Sequence, residues 1–175
     1  MTLQKGPLLM ESVVDLITAK LKVDFPLRCA EADNQYSDGI SLPPPADENY
    51  YISTRKQALG LPACYVVGGP AEMNYAGAPN YHISDDEVVL MLSAEDEDAE
   101  KLQRKVWRYQ RMLFVICNQL ELSDPDGRLK IQMIPRRFGV TDGAQTAALD
   151  NGQKRFRQDA VIEFGVYHYE KRLID

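Results

Sequence analysis

The chain has 175 residues, 45% hydrophobic and 26% charged, a profile that excludes a disordered chain and predicts a folded, water-soluble one. Its net charge of -6 is unevenly placed: residues 1–100 carry 6 Lys or Arg against 17 Asp or Glu, net -11, and residues 101–175 carry 14 against 9, net +5. That split predicts an electrically two-ended molecule suited to head-to-tail contact between identical copies, and the length predicts a single domain over 1–175 with one core.

The opening "MTLQKGPLLMESVV" has no continuous apolar run before Glu11, so neither a secretory signal nor a membrane span is read there, and a cytoplasmic chain without a membrane partner is expected. Pro7 suits a first helical residue, and Leu9, Val13, Leu16, Ile17 and Leu21 recur at three- and four-residue steps, predicting a helix of about four turns that stops at Pro26. From Ala30 to Glu48 the text is polar, has no periodicity and carries prolines at Pro43, Pro44 and Pro45. It reads as a long loop, because the 29 residues before it are too few for a core of their own.

"NYYISTRKQ" (Asn49–Gln57) and "PACYVVGG" (Pro62–Gly69) predict two neighbouring strands, the second so apolar that it belongs inside a sheet. The glycine- and proline-punctuated "GGPAEMNYAGAPNYH" predicts a mobile loop over about 69–85, and "DEVVLMLS" a third strand. Ser93 and "EDED" predict the start of a long amphipathic helix of about seven turns, with Leu102, Val106, Tyr109, Leu113, Ile116 and Leu120 in one stripe that must cover a sheet.

The other face of that helix is basic, through Lys101, Arg104, Lys105, Arg108 and Arg111. A solvated surface paired with Glu97 and Glu100 is the commoner reason for such a face, and a nucleic-acid-binding module is the alternative. Trp107 lies off the apolar stripe, and a tryptophan with no second aromatic beside it marks a protein contact rather than a base-stacking platform.

After the turn "SDPDG", "RLKIQMI" alternates as a fourth strand, and about 136–157 reads as a loop of small and cationic residues. The last strand, Arg157–Glu170, sets Ala160, Ile162, Phe164 and Val166 on one face and Val161, Glu163, Tyr167 and Tyr169 on the other. At about twice the usual five or six residues it exceeds what one sheet of this size is expected to pair, so part of it should project or continue a neighbour's sheet.

Cys29, Cys64 and Cys117 are widely spaced among apolar neighbours and read as reduced, buried thiols. His82 and His168 stand alone, "SAEDEDAEK" lacks the ligand alternation of a calcium loop, and no hydrolase, phosphate-loop or zinc-protease motif occurs. No cofactor, metal or catalytic residue is expected; a small hydrolase with a site under the 70–82 loop is the enzymatic alternative.

The order of elements resembles the small neck and tail proteins of tailed bacteriophages, above all tail terminators or tail completion proteins and the related head-tail joining proteins. The segments that carry the resemblance are "LGLPACYVV", the acidic start of the long helix with its "WRYQRM", and the closing "VIEFGVYHYE". The long segment 30–48 and the "GGPAEMNYAGAPNYH" loop depart from the pattern. The resemblance implies an α/β (α+β) fold with a mixed, mostly antiparallel sheet flanked by the N-terminal helix and the long helix. It implies a structural virion protein assembled in the host cytoplasm, non-enzymatic, forming a homo-oligomeric ring, usually a hexamer. Its expected partners are the tail tube or sheath protein and the head connector. Within that frame Arg136, Arg137, Lys154, Arg155 and Arg157 are candidates to face the lumen or the adjacent ring and to touch passing DNA, and Trp107 is a candidate oligomer contact.

Overall fold

A computed structural model describes residues 10–53, 60–74, 81–125, 127, 129–141, 145–148 and 154–171. Helix α1 spans Met10–Tyr36 and places Val13, Val14, Ile17, Leu21, Phe25, Cys29 and Ala32 in the core. Pro26 lies inside it rather than ending it. A mid-helix proline costs roughly 3 kcal/mol, and contacts on either side of it offset that cost: Phe25 before it stacks on Tyr109 at 5.9 Å and the Cys29 thiol after it meets Met112 Sδ at 3.8 Å. The expected long loop therefore shortens. The helix ends where Ser37 and Gly39 take positive φ, and the following chain folds inward with Leu42 and Pro45 buried. It closes in a 3₁₀ turn at Asp47–Asn49.

Seven strands follow: β1 (Tyr50–Tyr51), β2 (Ala63–Asn74), β3 (Tyr81–Asp96), β4 (Glu121–Ser123), β5 (Leu129–Val140), β6 (Gln145–Ala148) and β7 (Lys154–Lys171). They form one mixed sheet in the order β1-β2-β3-β7-β5-β4, with β6 added to β7. Only the β1–β2 pair is parallel; β2–β3, β3–β7, β4–β5, β5–β7 and β6–β7 are antiparallel. With the two helices this is the expected α+β fold.

Helix α2 spans Ala99–Cys117, shorter than expected, because Ser93 is a buried residue of β3 and the cap is Asp98. The Asp98 carboxylate accepts the Glu100 and Lys101 amides at 2.8 and 3.2 Å. Five of the six residues of its predicted apolar stripe, Leu102, Val106, Tyr109, Leu113 and Ile116, are buried, joined by Met112 and Cys117, while Leu120 lies beyond the helix end and is half-buried. These side chains share one cluster with α1 and with one face of the sheet: Cys64 and Val66, Val88 to Ala94, Ile131 and Met133, and Ala160 to Val166 at alternate positions. Both helices thus cover the same face.

Two predicted loops are largely strand. Of 69–85, β2 and β3 take the residues up to Asn74 and from Tyr81; of 136–157, β5, β6 and β7 take all but Thr141 among the described residues. The short strands β4 and β6 were not foreseen. The strand expected at Asn49–Gln57 is only β1, and the rest of that segment lies outside the described residues apart from Ile52 and Ser53.

Strand β7 corrects the reading of an unmatched edge. β3 pairs with it from Phe156 to Lys171, while β6 takes Lys154–Arg157 and β5 takes Ala160–Glu170 on its other side. It is the spine of the sheet, satisfied within its own chain. The stretches of β2 and β5 that the short outermost strands β1 and β4 leave uncovered are irregular instead: β2 shifts register between Gly68 and Ala71 beside Pro70, and β5 between Pro135 and Arg137. A bulge next to a proline spoils an edge as a template for strand addition.

Candidate functional site

The face of the sheet turned away from the helices is built from the alternate residues of the same strands, since neighbouring side chains in a strand point to opposite faces. It carries Arg136, Arg137, Arg155 and Arg157. Arg136 is the extra residue of the β5 bulge, and its guanidinium crosses the bare backbone of Gly165 in β7 to reach Asp85 of β3 at 2.6 Å. Three strands are tied by one side chain, and a Cβ at Gly165 would displace the Arg136 guanidinium from this crossing. Arg137, its neighbour, stands 3.9 Å from Glu163 and is 77% exposed.

At the other end of β7, Arg155 pairs with Glu95 at 2.6 Å and approaches Glu97 at 3.9 Å. Arg157 donates to the Ser93 hydroxyl at 3.2 Å and lies 4.0 Å from Asp159. Ser93, fully buried, donates to Asp159 at 2.5 Å. Beside this knot Tyr51, Ala63 and Tyr65 form a second small apolar cluster. Lys154 opens β7 opposite Ala148 of β6. The five cations do share one sheet rather than a loop, but Arg136 over Gly165 and Arg157 stand eight positions apart on β7, roughly 26 Å. They form two groups.

Part of the two-ended charge is used inside the chain. Lys105–Asp96 at 2.6 Å, the Arg108–Asp38 fork, Arg136–Asp85 and Arg155 with Glu95 and Glu97 all join the acidic first hundred residues to the basic remainder.

The basic face of α2 is divided in the same way. Arg108 lies 4.0 Å over the Tyr36 ring and donates to both Asp38 oxygens, and that hydrogen bond first of all holds the Asp38 carboxyl down at about 2. Lys105 answers Asp96. Lys101, Arg104 and Arg111 remain exposed. Trp107 is 57% exposed on α2, in the helical layer and not on the sheet face that holds the arginines. By helical phase it shares a side with Gln103, Gln110 and Phe114. Those three turn toward β5 and β7: Gln103 meets Gln158, Gln110 donates to the Gly139 and Val161 carbonyls, and Phe114 packs on Phe138 at 5.3 Å.

Burial pushes the thiols of Cys29 and Cys64 up to about 12 and raises Cys117 as well, so none is a thiolate nucleophile at neutral pH. All three are buried and free, as read. His82 lies in β3 opposite Glu170, not in a loop, and His168 in β7 opposite Ser84. Among the described residues no group of three or more His, Cys, Asp or Glu side chains stands where it could hold a metal ion, and no helix is long and apolar enough to cross a membrane. Asp85, Glu95, Ser93 and Asp159, the partners of the arginines, were missed by sequence reasoning. For Asp85 and Glu95 the signal was the acidic run at each end of β3, which becomes informative only once β7 and β5 are placed.

No protein-family profile matches the chain, and no curated protein matches it. Matches occur among solved structures; one is a chain from the "Virion of native gene transfer agent (GTA) particle", 13% identical over 89% of this chain and 94% of that one, with a TM-score of 0.47. A likeness at that level carries no functional inference.

Proposed function

We propose that this chain is a structural protein of a tailed-phage virion that assembles as a ring at the head-tail junction, ending the tail tube or sheath and joining it to the head connector. Six copies is the number favoured by the resemblance of "LGLPACYVV", "WRYQRM" and "VIEFGVYHYE" to tail terminators. The observation that supports the reading is the two-layer build: both helices cover one face of the sheet, and the opposite face carries arginines already answered by acids. A wall beside passing DNA must not grip it, and phosphate affinity grows with the number of unpaired cations it meets. A self-neutralised sheet face suits that wall, with Arg137 the least engaged of its described arginines.

Sizing of the purified protein by light scattering, followed by negative-stain imaging, tests this. Closed rings are the expected result, with weak DNA affinity that falls steeply with salt. A protein that stays monomeric in solution and in isolated particles removes the reading.

A further inference from the structure

On α1, Lys20 and Arg28 pair within the helix and Lys22 lies 5.5 Å over the Tyr50 ring; on the outer sheet face the arginines meet Asp85, Glu163, Glu95 and Asp159. Helix α2 differs. It holds five cations and one acid, Glu100. Lys105 and Arg108 are taken by Asp96 and Asp38, but Lys101, Arg104 and Arg111 are exposed and, among the described residues, form no ion pair. Glu97, expected to answer them, approaches Arg155 at 3.9 Å instead, and Asp98 caps the helix.

These three cations stand together. At about 100° per residue, Lys101, Arg104, Arg111 and Val115 fall within about 80° of the circumference of α2, and Trp107 borders them about 40° beyond Arg111. That side is opposite the fully buried Leu102, Val106 and Leu113. Val115 is 48% and Trp107 57% exposed. Over about 21 Å of helix this crest mixes unanswered cations with uncovered apolar surface.

Whatever covers the crest must satisfy both. Carboxylates match a guanidinium through paired hydrogen bonds, and tryptophan and arginine are the residue types that most often anchor protein contacts. A DNA backbone would meet the cations but leave Trp107 and Val115 wet. Three phosphate contacts also carry little affinity at physiological salt, and no second aromatic on the crest completes a stacking platform.

We infer that the crest of α2 receives an acidic segment with apolar side chains from a partner protein, its carboxylates on Arg104 and Arg111 and its apolar side chains over Trp107 and Val115. The crest belongs to the helical layer and the ring reading rests on the opposite face of the sheet, so the inference goes beyond that reading and does not depend on it. Arg104 and Arg111 lie about 10.5 Å apart along the axis, a span matched by carboxylates about seven residues apart in a partner helix or about three apart in an extended strand.

The test uses the full chain and two Glu–Leu peptides built to those two spacings, with Gln–Leu and Lys–Leu peptides of the same patterns and a short DNA duplex for comparison. Trp107 is the single tryptophan of the chain, so its emission reports on the crest directly. A saturable blue shift with a Glu–Leu peptide is expected, weakening as salt rises, with none from the Gln–Leu or Lys–Leu peptides. Arg104→Glu and Arg111→Glu together should weaken Glu–Leu binding at least tenfold, roughly the loss of one anchor residue, and should admit the Lys–Leu peptide instead, an exchange that also shows the variant to be folded. Equal binding of the Gln–Leu peptide would reduce the crest to an apolar patch. Tighter binding of the duplex at physiological salt would make it a nucleic-acid surface, and an emission that shifts on concentrating the protein alone would assign it to a second copy. Any of these three results, or no shift with either Glu–Leu peptide, overturns the inference.

Discussion

On the face of the sheet covered by α1 and α2, β3 and β7 present Val88, Leu90, Leu92, Ala160, Ile162, Phe164 and Val166, all fully buried. The alternate residues of the same two strands are half-buried and enter ion pairs: Glu95 with Arg155, Arg157 with Asp159, and Asp85 and Glu163 with Arg136 and Arg137 of β5. One face is held by packing, which is dense and non-directional; the other is pinned by charge pairs, which contribute little stability when exposed but fix register between strands. The lesson is a division of labour within single strands. The inner face supplies most of the free energy of folding, and the outer face supplies a surface defined by its charge pairs.

Substitution on the two faces separates these roles most sharply at neighbouring positions of β7. Phe164→Ala, in the core, is expected to cost about 3–5 kcal/mol. Val161→Ala, three residues away on the half-buried outer face, is expected to cost about 1 kcal/mol or less. Urea denaturation of both variants measures the gap; equal losses would show that the outer face is covered as tightly as the inner one.

How far these faces were legible in the sequence differs element by element. The α2 stripe and the alternation of β7 were readable because period alone fixes which side of an element is buried. The end of α1 was not, because Pro26 outweighs its surroundings locally and only Tyr109 and Met112, some eighty residues later, make continuation worthwhile. Ser93 looked like a helix cap for the same reason: its partners Asp159 and Arg157 come from the far end of the chain. The bulged ends of β2 and β5 read as loops because Gly68, Gly69, Pro70 and Pro135 are turn formers, whereas here they bend and blunt edge strands. Of the candidate site, the residue types were found but not their state. That Arg136, Arg155 and Arg157 are already engaged follows from strand order, which no local pattern in those segments encodes.

The Arg136 crossing offers a smaller break in the outer face. Gly165→Ala places a Cβ against the guanidinium and is expected to cost about 1 kcal/mol by forcing Arg136 off Asp85, whereas alanine at an unobstructed strand position is usually better than glycine. In an Arg136→Ala background the same change should become neutral or stabilising, a coupling of about 1 kcal/mol or somewhat more. Additive effects in that double-mutant cycle would mean that the arginine does not lie over the strand.

Acid probes the same contrast where the loop after α1 meets α2. The Arg108 hydrogen bond holds Asp38 at about 2, below its ordinary 3.8. A depressed carboxyl contributes stability that is complete above its unfolded value and is lost as the pH falls through its folded value. The contribution of the fork should therefore persist at neutral pH and disappear between about pH 4 and about pH 2. Asp38→Asn should be the less stable protein at pH 7, with the difference from the unaltered chain shrinking over that window. A difference that stays constant with pH would separate Asp38 from the titration.

The smallest effect is expected at Arg137, and it is the most informative about what the outer face is for. Its pair with Glu163 is 3.9 Å long and 77% exposed on the arginine side, a geometry in which the Coulomb gain and the entropy of holding two long side chains nearly cancel. Arg137→Ala should therefore move stability by no more than about 0.5 kcal/mol, while its neighbour Arg136, anchored across Gly165, should cost more when removed. If the outer face lines a DNA passage, the side chain that folding does not need is also the one with charge to spare. Arg137→Ala should then lower the salt slope of residual DNA binding by close to one counterion per subunit, where Arg136→Ala changes it less. A loss of more than 1.5 kcal/mol at Arg137, roughly what an anchored charged hydrogen bond contributes, would instead make it one of the anchored pairs, leaving the face no unengaged arginine among the described residues.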